Sequence, residues 1–169
     1  MKNTIQNLFI DELHDMLSAE NQIVAALPEV IEAAEAQELK DAFENHLQET
    51  KKQVQRLEKI FKIMKQPPRT ETCDAMEGLI KECGDVIEKY PSSPVRDAAI
   101  ISKAQRIEHY EIAAYSSLRT FAKELDLSDA EELLKETLNE ETHADKTLSK
   151  IAQGGLLTSG INRKAALAA

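Results

Sequence analysis

The amino-acid sequence predicts an all-α protein, a four-helix bundle with one additional short helix. Composition is the first observation, because 42% of the 169 residues are hydrophobic, 30% are charged and only 4% are aromatic. This balance is typical of a single soluble domain rich in helix-favouring residues. The second observation is that apolar residues recur at helical spacing through four long segments, with no competing strand pattern. The third is a shorter helical segment between the second and third long ones.

The first two predicted helices occupy the start of the chain. The first runs over about residues 4–34, with Thr4 as its N-cap. Pro28 lies inside this helix and is expected to kink or interrupt it, because proline cannot donate to the helical ladder. The second helix runs over about residues 37–65 and ends before Pro67.

The next two helices are separated by a clear break. The short third helix runs over about residues 73–90, with Thr72 as its N-cap. The stretch YPSSP at residues 90–94 ends it, since two prolines flank two small polar residues. The fourth helix then runs over about residues 95–125.

The fifth helix is the last one that the sequence predicts. Ser128 and Glu131 match the capping-box pattern, which predicts a helix beginning at Ser128. The Gly154–Gly155 pair stops this helix. We therefore expect one helical domain over residues 1–153 and a flexible C-terminal tail over residues 154–169.

The connection that contains the short helix is long enough to cross the bundle from end to end. A bundle with one such crossover has ferritin-like connectivity, whereas simple up-down bundles have only short loops. A weak internal repeat also relates the first helix pair to the last pair. Its matched positions are Glu20/Glu111, Leu27/Leu118, Leu47/Leu138, Glu49/Glu140, Leu57/Leu148, Lys59/Lys150 and Ile60/Ile151.

Charge and cysteine content limit the function classes. The formal net charge of -9 argues against binding to nucleic acid or an acidic membrane, since phosphate contacts need a basic surface. The longest apolar runs, such as residues 23–27, are too short to span a bilayer. Cys73 and Cys83 lie about 15 Å apart along one predicted helix, which is too far for a disulfide. We expect reduced thiols, no targeting segment and a cytoplasmic location.

Carboxylates on apolar helix faces are the most informative feature of the sequence. On a helical wheel, Glu20 falls near the centre of the apolar face of the first helix, and Glu111 at the centre of the fourth, with Glu108 nearby. Isolated ionised carboxylates there are costly, so they must be protonated, paired with cations or bound to metal. His14 and His109 point away from the apolar faces and are predicted at the surface.

The second and fifth helices supply further candidate ligands. On the second helix, His46 falls at the centre of the apolar face and Glu49 at its edge. On the fifth helix two criteria disagree. The Glu-x-x-His spacing favours Glu140 with His143, whereas helical periodicity favours Glu141. The sequence leaves both assignments open.

Four long helices that each place a glutamate in or beside an apolar face predict a di-metal carboxylate site. Such sites take one Glu from each of two helices and Glu-x-x-His from each of the other two. Lys52 departs from this pattern because it stands where the second histidine is expected, and His46 is its candidate substitute. Iron or manganese suits such oxygen-rich ligation. The predicted ligands are Glu20, His46, Glu49, Glu108, Glu111, Glu140 and His143.

At these residues the chain resembles a known family. The segments DMLSAENQIVAALP, HLQET, AMEGLI, EHYEIAAY and LLKETLNEE together resemble the YciF-type bacterial stress proteins of the ferritin-like superfamily, over about residues 4–152. The resemblance implies a homodimeric, cytoplasmic ferritin-like domain linked to stress, with a di-metal site similar to that of rubrerythrins. The match to rubrerythrins and ferritins lies at Glu20, Glu49, Glu108, Glu111 and Glu140, with Lys52 departing. A rubredoxin-like module with four cysteine ligands is absent, so the usual electron donor is not part of this chain.

Two functional hypotheses follow from these residues. The first is a stress-response protein with a di-iron or manganese site that oxidises Fe(II) or reduces peroxide, with oxygen or peroxide as the small oxidant. The second is a metal-free structural or interaction homodimer, whose inward acids are held by hydrogen bonds, by Lys52, or by Arg56, Arg106 and Arg119. Metal content distinguishes the two hypotheses.

Overall fold

The computed structural model describes residues 4–69, 71–155 and 158–168. Within these ranges the chain forms six helices and no β-strand, which confirms the all-α prediction. The helices are α1 (Ile5–Ala33), α2 (Gln37–Met64), α3 (Asp74–Lys89), α4 (Pro94–Glu124), α5 (Ser128–Gln153) and α6 (Ile161–Leu167).

Four long helices form the bundle, and α3 and α6 cover its sides. Helix α1 packs against α2 and α4, and α5 packs against the same two helices, so α1 and α5 lie on a diagonal. Helices α4 and α5 run antiparallel, since Gln105 contacts Asp145 near one end while Arg119 pairs with Glu131 near the other. The connection between α2 and α4 contains α3, which packs on α1 and α4. This is the crossover expected for ferritin-like connectivity.

The start of the bundle follows the sequence prediction closely. Thr4 is the N-cap of α1, and its hydroxyl accepts from the backbone N–H of Asn7 at 3.2 Å. Pro28 does not interrupt α1, which continues to Ala33. Its missing N–H removes one ladder bond, and the helix continues because apolar residues beyond it, such as Ala33, are still buried in the core.

Two predicted caps are wrong. Helix α3 is capped by Cys73 instead of Thr72, and the thiol accepts from the backbone N–H of Met76 at 3.4 Å. At α5 the predicted capping box does not form, because Ser128 is already the first helical residue and Leu127 occupies the cap position. The chain enters α5 through Asp126, whose backbone is left-handed (φ 56°).

A polar cluster anchors α3 to the bundle. The Tyr110 hydroxyl donates to Asp15 at 2.7 Å and lies 3.1 Å from the thiol of Cys73. The backbone N–H of Cys73 donates to Ser18 at 3.0 Å. The beginning of α3 is therefore fixed to α1 and α4 by side chains that are distant in sequence.

The C-terminal segment contains a helix that the sequence analysis did not assign. Helix α6 packs on α4 and α5, and Ile161 is buried. The chain returns at Gly154 (φ 79°), where an added Cβ would lie 2.3 Å from the backbone nitrogen of Gly160. Residues 156, 157 and 169 of the predicted tail lie outside the described residues.

Large apolar side chains fill the bundle interior. None of the helices in the described ranges combines the length and the apolarity that crossing a lipid bilayer requires. The largest fully buried side chains come from helices α1 to α4 and include Phe9, Leu13, Met16, Leu39, Leu57, Ile60, Phe61, Met76, Ile100, Ile101, Tyr115 and Leu118. The centre of this core is interrupted by buried acids.

Candidate metal centre

Four side chains from three helices meet in the middle of the bundle. His46 comes from α2, Glu108 and Glu111 from α4, and Glu141 from α5. Each offers a ligand atom, these atoms all lie within 4.8 Å of one another, and all four residues are buried. Glu108 and Glu111 are three residues apart, so they lie one above the other on the inward face of α4.

Most of the polar atoms in this cluster have no hydrogen-bond partner among the described residues. Both carboxylate oxygens of Glu111 are unpartnered, as are one oxygen each of Glu108 and Glu141 and Nδ1 of His46. The other ring nitrogen of His46, Nε2, lies 3.5 Å from Oε1 of Glu108. Folded proteins rarely bury so many polar atoms without a partner, since each one costs the free energy of its lost hydration. The arrangement indicates that a further group completes the site.

Burial perturbs the protonation of every acid in the cluster. Loss of hydration, together with the neighbouring acids, raises the pKa of Glu108 and of Glu111 well above the ordinary glutamate value. Burial also raises the pKa of Glu141 to about 7, although a hydrogen bond with Glu108 opposes this effect. Burial lowers the pKa of His46 to about 4, so its imidazole is neutral at pH 7. Without a cation, the folded chain therefore holds extra protons here.

Glu20 on α1 borders the cluster and has a partner of its own. The hydroxyl of Tyr115 donates to Oε1 of Glu20, while Oε2 is unpartnered within the described ranges. Burial, followed by the charge of Glu141, raises the pKa of Glu20 well above its ordinary value. Glu20 thus presents one free oxygen on the α1 side of the cluster.

Gln53 and Arg56 on α2 separate the roles of the two adjacent glutamates of α5. The side-chain amide of Gln53 donates to Glu141 and, at 3.0 Å, to Glu140. Arg56 donates to both oxygens of Glu140, at 2.6 and 2.7 Å, and also pairs with Glu136. Glu140 therefore points toward a buried guanidinium, and Glu141 points into the cluster.

A polar cleft of about 310 Å³ leads from the surface to this cluster. Its walls come from α2 and α5 and include Glu49, Lys52 and His143, with His46 and Glu108 at the inner end. His143 is exposed and Glu49 is half-buried. These two predicted ligands lie along the approach to the cluster and are not members of the group of four.

The structure brings together only part of the predicted ligand set. His46, Glu108 and Glu111 lie in the group of four, Glu20 borders it, and Glu49, Glu140 and His143 lie outside it. Glu141 was favoured by helical periodicity and is the fourth member. Gln53 was not considered from the sequence, although its position on the inward face of α2, one turn after Glu49, is the signal that could have identified it. The ligand roles of these residues stay predictions.

Comparison with known proteins supports the resemblance noted in the sequence. A family model described as "Domain of unknown function (DUF892)" matches residues 4–166. Protein YciF of Escherichia coli (strain K12) is 41% identical over 163 residues, which cover 96% of this chain and 95% of that protein. The chain belongs to the YciF family.

Solved structures of similar proteins share the fold. The crystal structure of YciF, described as an E. coli stress protein, is 43% identical with a TM-score of 0.85, covering 89% of this chain and 94% of that one. YcfI from Rhodopseudomonas palustris is 41% identical with a TM-score of 0.86, covering 89% and 96%. A protein from Xanthomonas campestris matches with a TM-score of 0.70 at 16% identity, covering 87% and 89%, which supports the fold alone.

The cluster in this YciF-family chain fits a divalent transition metal. Its donors are carboxylate oxygens and one neutral imidazole, the set that iron and manganese accept. The unpartnered oxygens of Glu111 supply free lone pairs in the core, where a cation would offset their desolvation. The thiols take no part, since Cys73 is hydrogen-bonded to Asp15 and Tyr110, and Cys83 is a residue of α3 outside the group of four.

Proposed function

We propose that this YciF-family protein holds two iron or manganese ions in a di-metal carboxylate site and uses them against oxygen or peroxide, with Fe(II) as the electron source. The observation that carries the proposal is Glu111, whose two buried oxygens lack a partner in the described residues while His46, Glu108 and Glu141 surround it. A stress-related role is proposed with it, because the E. coli relative is described as a stress protein.

Charge balance supports two ions over one. The buried carboxylates at the site are those of Glu20, Glu108, Glu111 and Glu141, and His46 is neutral. When ionised, these four carboxylates carry four negative charges, which two divalent cations neutralise. A single ion would leave two buried negative charges or two protons in the core, which is costly.

The chain's own residues orient the proposed ligands. Tyr115 donates to Glu20 and leaves its other oxygen free, and Gln53 donates to Glu141 in the same way. Such second hydrogen bonds fix the direction of a ligating carboxylate and tune its basicity. Arg56 holds Glu140 outside the group of four. When bound, iron or manganese would supply one-electron chemistry toward oxygen or peroxide.

The polar cleft between α2 and α5 is the proposed route for ions and small oxidants. Glu49 and His143 are polar groups that an arriving cation meets before it reaches His46 and Glu108. Lys52 lies on the same wall, and its positive charge offsets part of the negative charge of the cleft. Their part in the proposal is to admit the ion, which differs from the ligand role predicted from the sequence.

Elemental analysis of protein purified without chelator tests this function. We expect about two iron or manganese ions per chain. The variant Glu111→Gln keeps the shape of the side chain but weakens ligation, so it should retain less than about half of the metal. Glu132→Gln on the exposed surface of α5 is the matched control and should bind as the parent does.

The opposite result would favour the metal-free structural or interaction homodimer. Arg56 already pairs with Glu140 and Glu136, as that hypothesis requires of some acids. It predicts no metal after anaerobic reconstitution with Fe(II), and no thermal shift with Fe(II) or Mn(II). Analytical ultracentrifugation tests the predicted dimer separately from metal content.

A further inference from the structure

A second cavity, of about 290 Å³, reaches the same cluster from the other side of α2. It lies between α1, α2, α3 and α4. Unlike the polar cleft, it is enclosed mainly by apolar side chains. These include Ile23, Leu27, Phe43, Ile80, Ile87 and Ile107.

Two buried polar side chains line the inner end of this cavity. His46 is 6% exposed and Glu108 is 2% exposed, and both line the cavity. Within the described ranges, His46 Nδ1 and Glu108 Oε2 have no hydrogen-bond partner. The outer end is marked by exposed residues, Glu29, Lys81 and Glu88. A ligand here would therefore bury an apolar body and meet two hydrogen-bonding groups at its inner end.

Gly84 keeps the α3 wall of the cavity open. It lines the cavity in the interior of α3, and an added Cβ would meet nothing within 4 Å. Glycine inside a helix costs roughly 0.5–1 kcal/mol relative to alanine. No close contact in the structure requires glycine at this position, and a larger side chain would occupy the cavity.

We infer that this cavity binds a small, uncharged, mostly apolar molecule with one hydroxyl or carbonyl group, placed against His46 and Glu108. Its volume is about twice that of an engineered apolar cavity of about 150 Å³ that binds benzene, so a bicyclic aromatic or a medium-length chain fits. An anionic ligand is disfavoured because two acids, Glu29 and Glu88, outweigh the one base, Lys81, at the outer end, and Glu108 lies at the inner end. The inference concerns binding and does not require a metal.

Titration with 1-naphthol tests the pocket directly. The chain contains no tryptophan, so naphthol fluorescence can be excited without interference from the protein. We expect saturable binding of one naphthol per chain, in metal-free and in iron-reconstituted protein. The anion 1-naphthoate should bind at least about tenfold more weakly, because burying its charge beside acids is unfavourable.

Two glycines of α3 provide matched variants. Gly84→Leu fills the cavity and should weaken naphthol binding at least about tenfold. Gly78→Leu has the same helix-propensity effect at an exposed position with equally open space, and should bind as the parent does. Circular dichroism checks that both variants are folded.

Binding that is absent, unsaturable, or equal in Gly84→Leu and the parent would overturn the inference. If metal analysis finds no ion but naphthol binds and Gly84→Leu prevents it, the pocket stands and the metal proposal fails. If metal is bound but naphthol is not, the pocket inference fails alone.

Discussion

Two adjacent glutamates of α5 have opposite environments at the scale of single residues. Glu141 is fully buried, belongs to the cluster and accepts a hydrogen bond from Gln53 of α2. Glu140 is half-buried and accepts two hydrogen bonds from the guanidinium of Arg56. Because successive helical residues point about 100° apart, one faces the centre of the bundle and the other faces the α2–α5 seam.

Substituting each of these glutamates by glutamine should separate metal binding from stability. Glu141→Gln is expected to lower metal content from about two ions to at most about one per chain, with the metal-free stability unchanged or higher, since a raised pKa marks an unfavourable charge. Glu140→Gln should keep the metal but lower the free energy of unfolding by about 1–3 kcal/mol, because Arg56 loses the less exposed of its two charged partners. Elemental analysis and urea denaturation measure the two effects.

The same pair shows what the sequence could predict about the site. Periodicity placed Glu111, Glu20, His46 and Glu141 on inward faces, because the apolar pattern of each helix alone shows which of its residues face the core. The Glu-x-x-His spacing favoured Glu140, since a motif contains no information about a guanidinium on another helix. His14 was predicted at the surface yet is buried, because its ring stacks on Phe61 of α2 and accepts from the backbone N–H of Arg69.

At the scale of elements, one aspartate joins three helices. Asp97 in the first turn of α4 is buried, and its two oxygens accept from the backbone N–H groups of Glu35 and Ala36, each at 2.8 Å. These N–H groups belong to the short turn between α1 and α2. The start of α4 is thereby fixed to the end of the first hairpin, which orients the helix that contributes Glu108 and Glu111.

Removing this carboxylate should destabilise the whole bundle. Asp97→Ala leaves two backbone donors without their partner, and hydrogen bonds to charged groups are worth about 1.5–3 kcal/mol each. We expect the free energy of unfolding to fall by about 2–4 kcal/mol, measured by urea denaturation of metal-free protein. Asp85→Ala is the control, since its exposed pair with Lys81 is worth less than about 0.5 kcal/mol. Equal losses in both variants would contradict this role for Asp97.

Helix extents were predictable from the sequence, whereas caps and the last helix were not. The apolar period runs the length of each long helix, so every boundary from α1 to α5 was placed within a residue or two of the structure. The caps at Cys73 and Leu127 depend on how the chain enters each helix, which local residue preference does not determine. Helix α6 has only seven residues and is too short to be predicted from periodicity.

At the scale of the whole molecule, the acidic core links folding, protons and metal. Burial raises the pKa of Glu20, Glu108 and Glu111 well above the ordinary value, and that of Glu141 to about 7. Between the ordinary and the raised values, the folded metal-free chain binds more protons than the unfolded chain. Its stability therefore falls as pH rises through that interval. A bound cation removes this effect, because it favours the ionised carboxylates.

The dependence of stability on pH should disappear when metal is added. Burial lowers the pKa of His46 from 6.5 to about 4, so this histidine makes stability rise with pH only below about pH 6.5. Between about pH 6.5 and 8.5 the glutamates dominate, and the thiol of Cys83, with a pKa of about 11, titrates above this window. Metal-free protein should lose up to about 1.4 kcal/mol per pH unit for each carboxyl that stays protonated.

Urea denaturation across this pH window, with chelator and with excess Mn(II), measures both slopes. With saturating Mn(II) the free energy of unfolding should be nearly independent of pH across the window, because metal binding releases the carboxyl protons and tightens with pH by as much as the metal-free fold weakens. Glu111→Gln is the control, since it removes one of the titrating carboxyls and should flatten the slope of the metal-free protein. If the stability of the metal-free protein does not fall with rising pH across the window, these acids are already ionised in the fold. Such a result would assign their charge balance to Arg56 and its neighbours and remove the electrostatic reason for a metal.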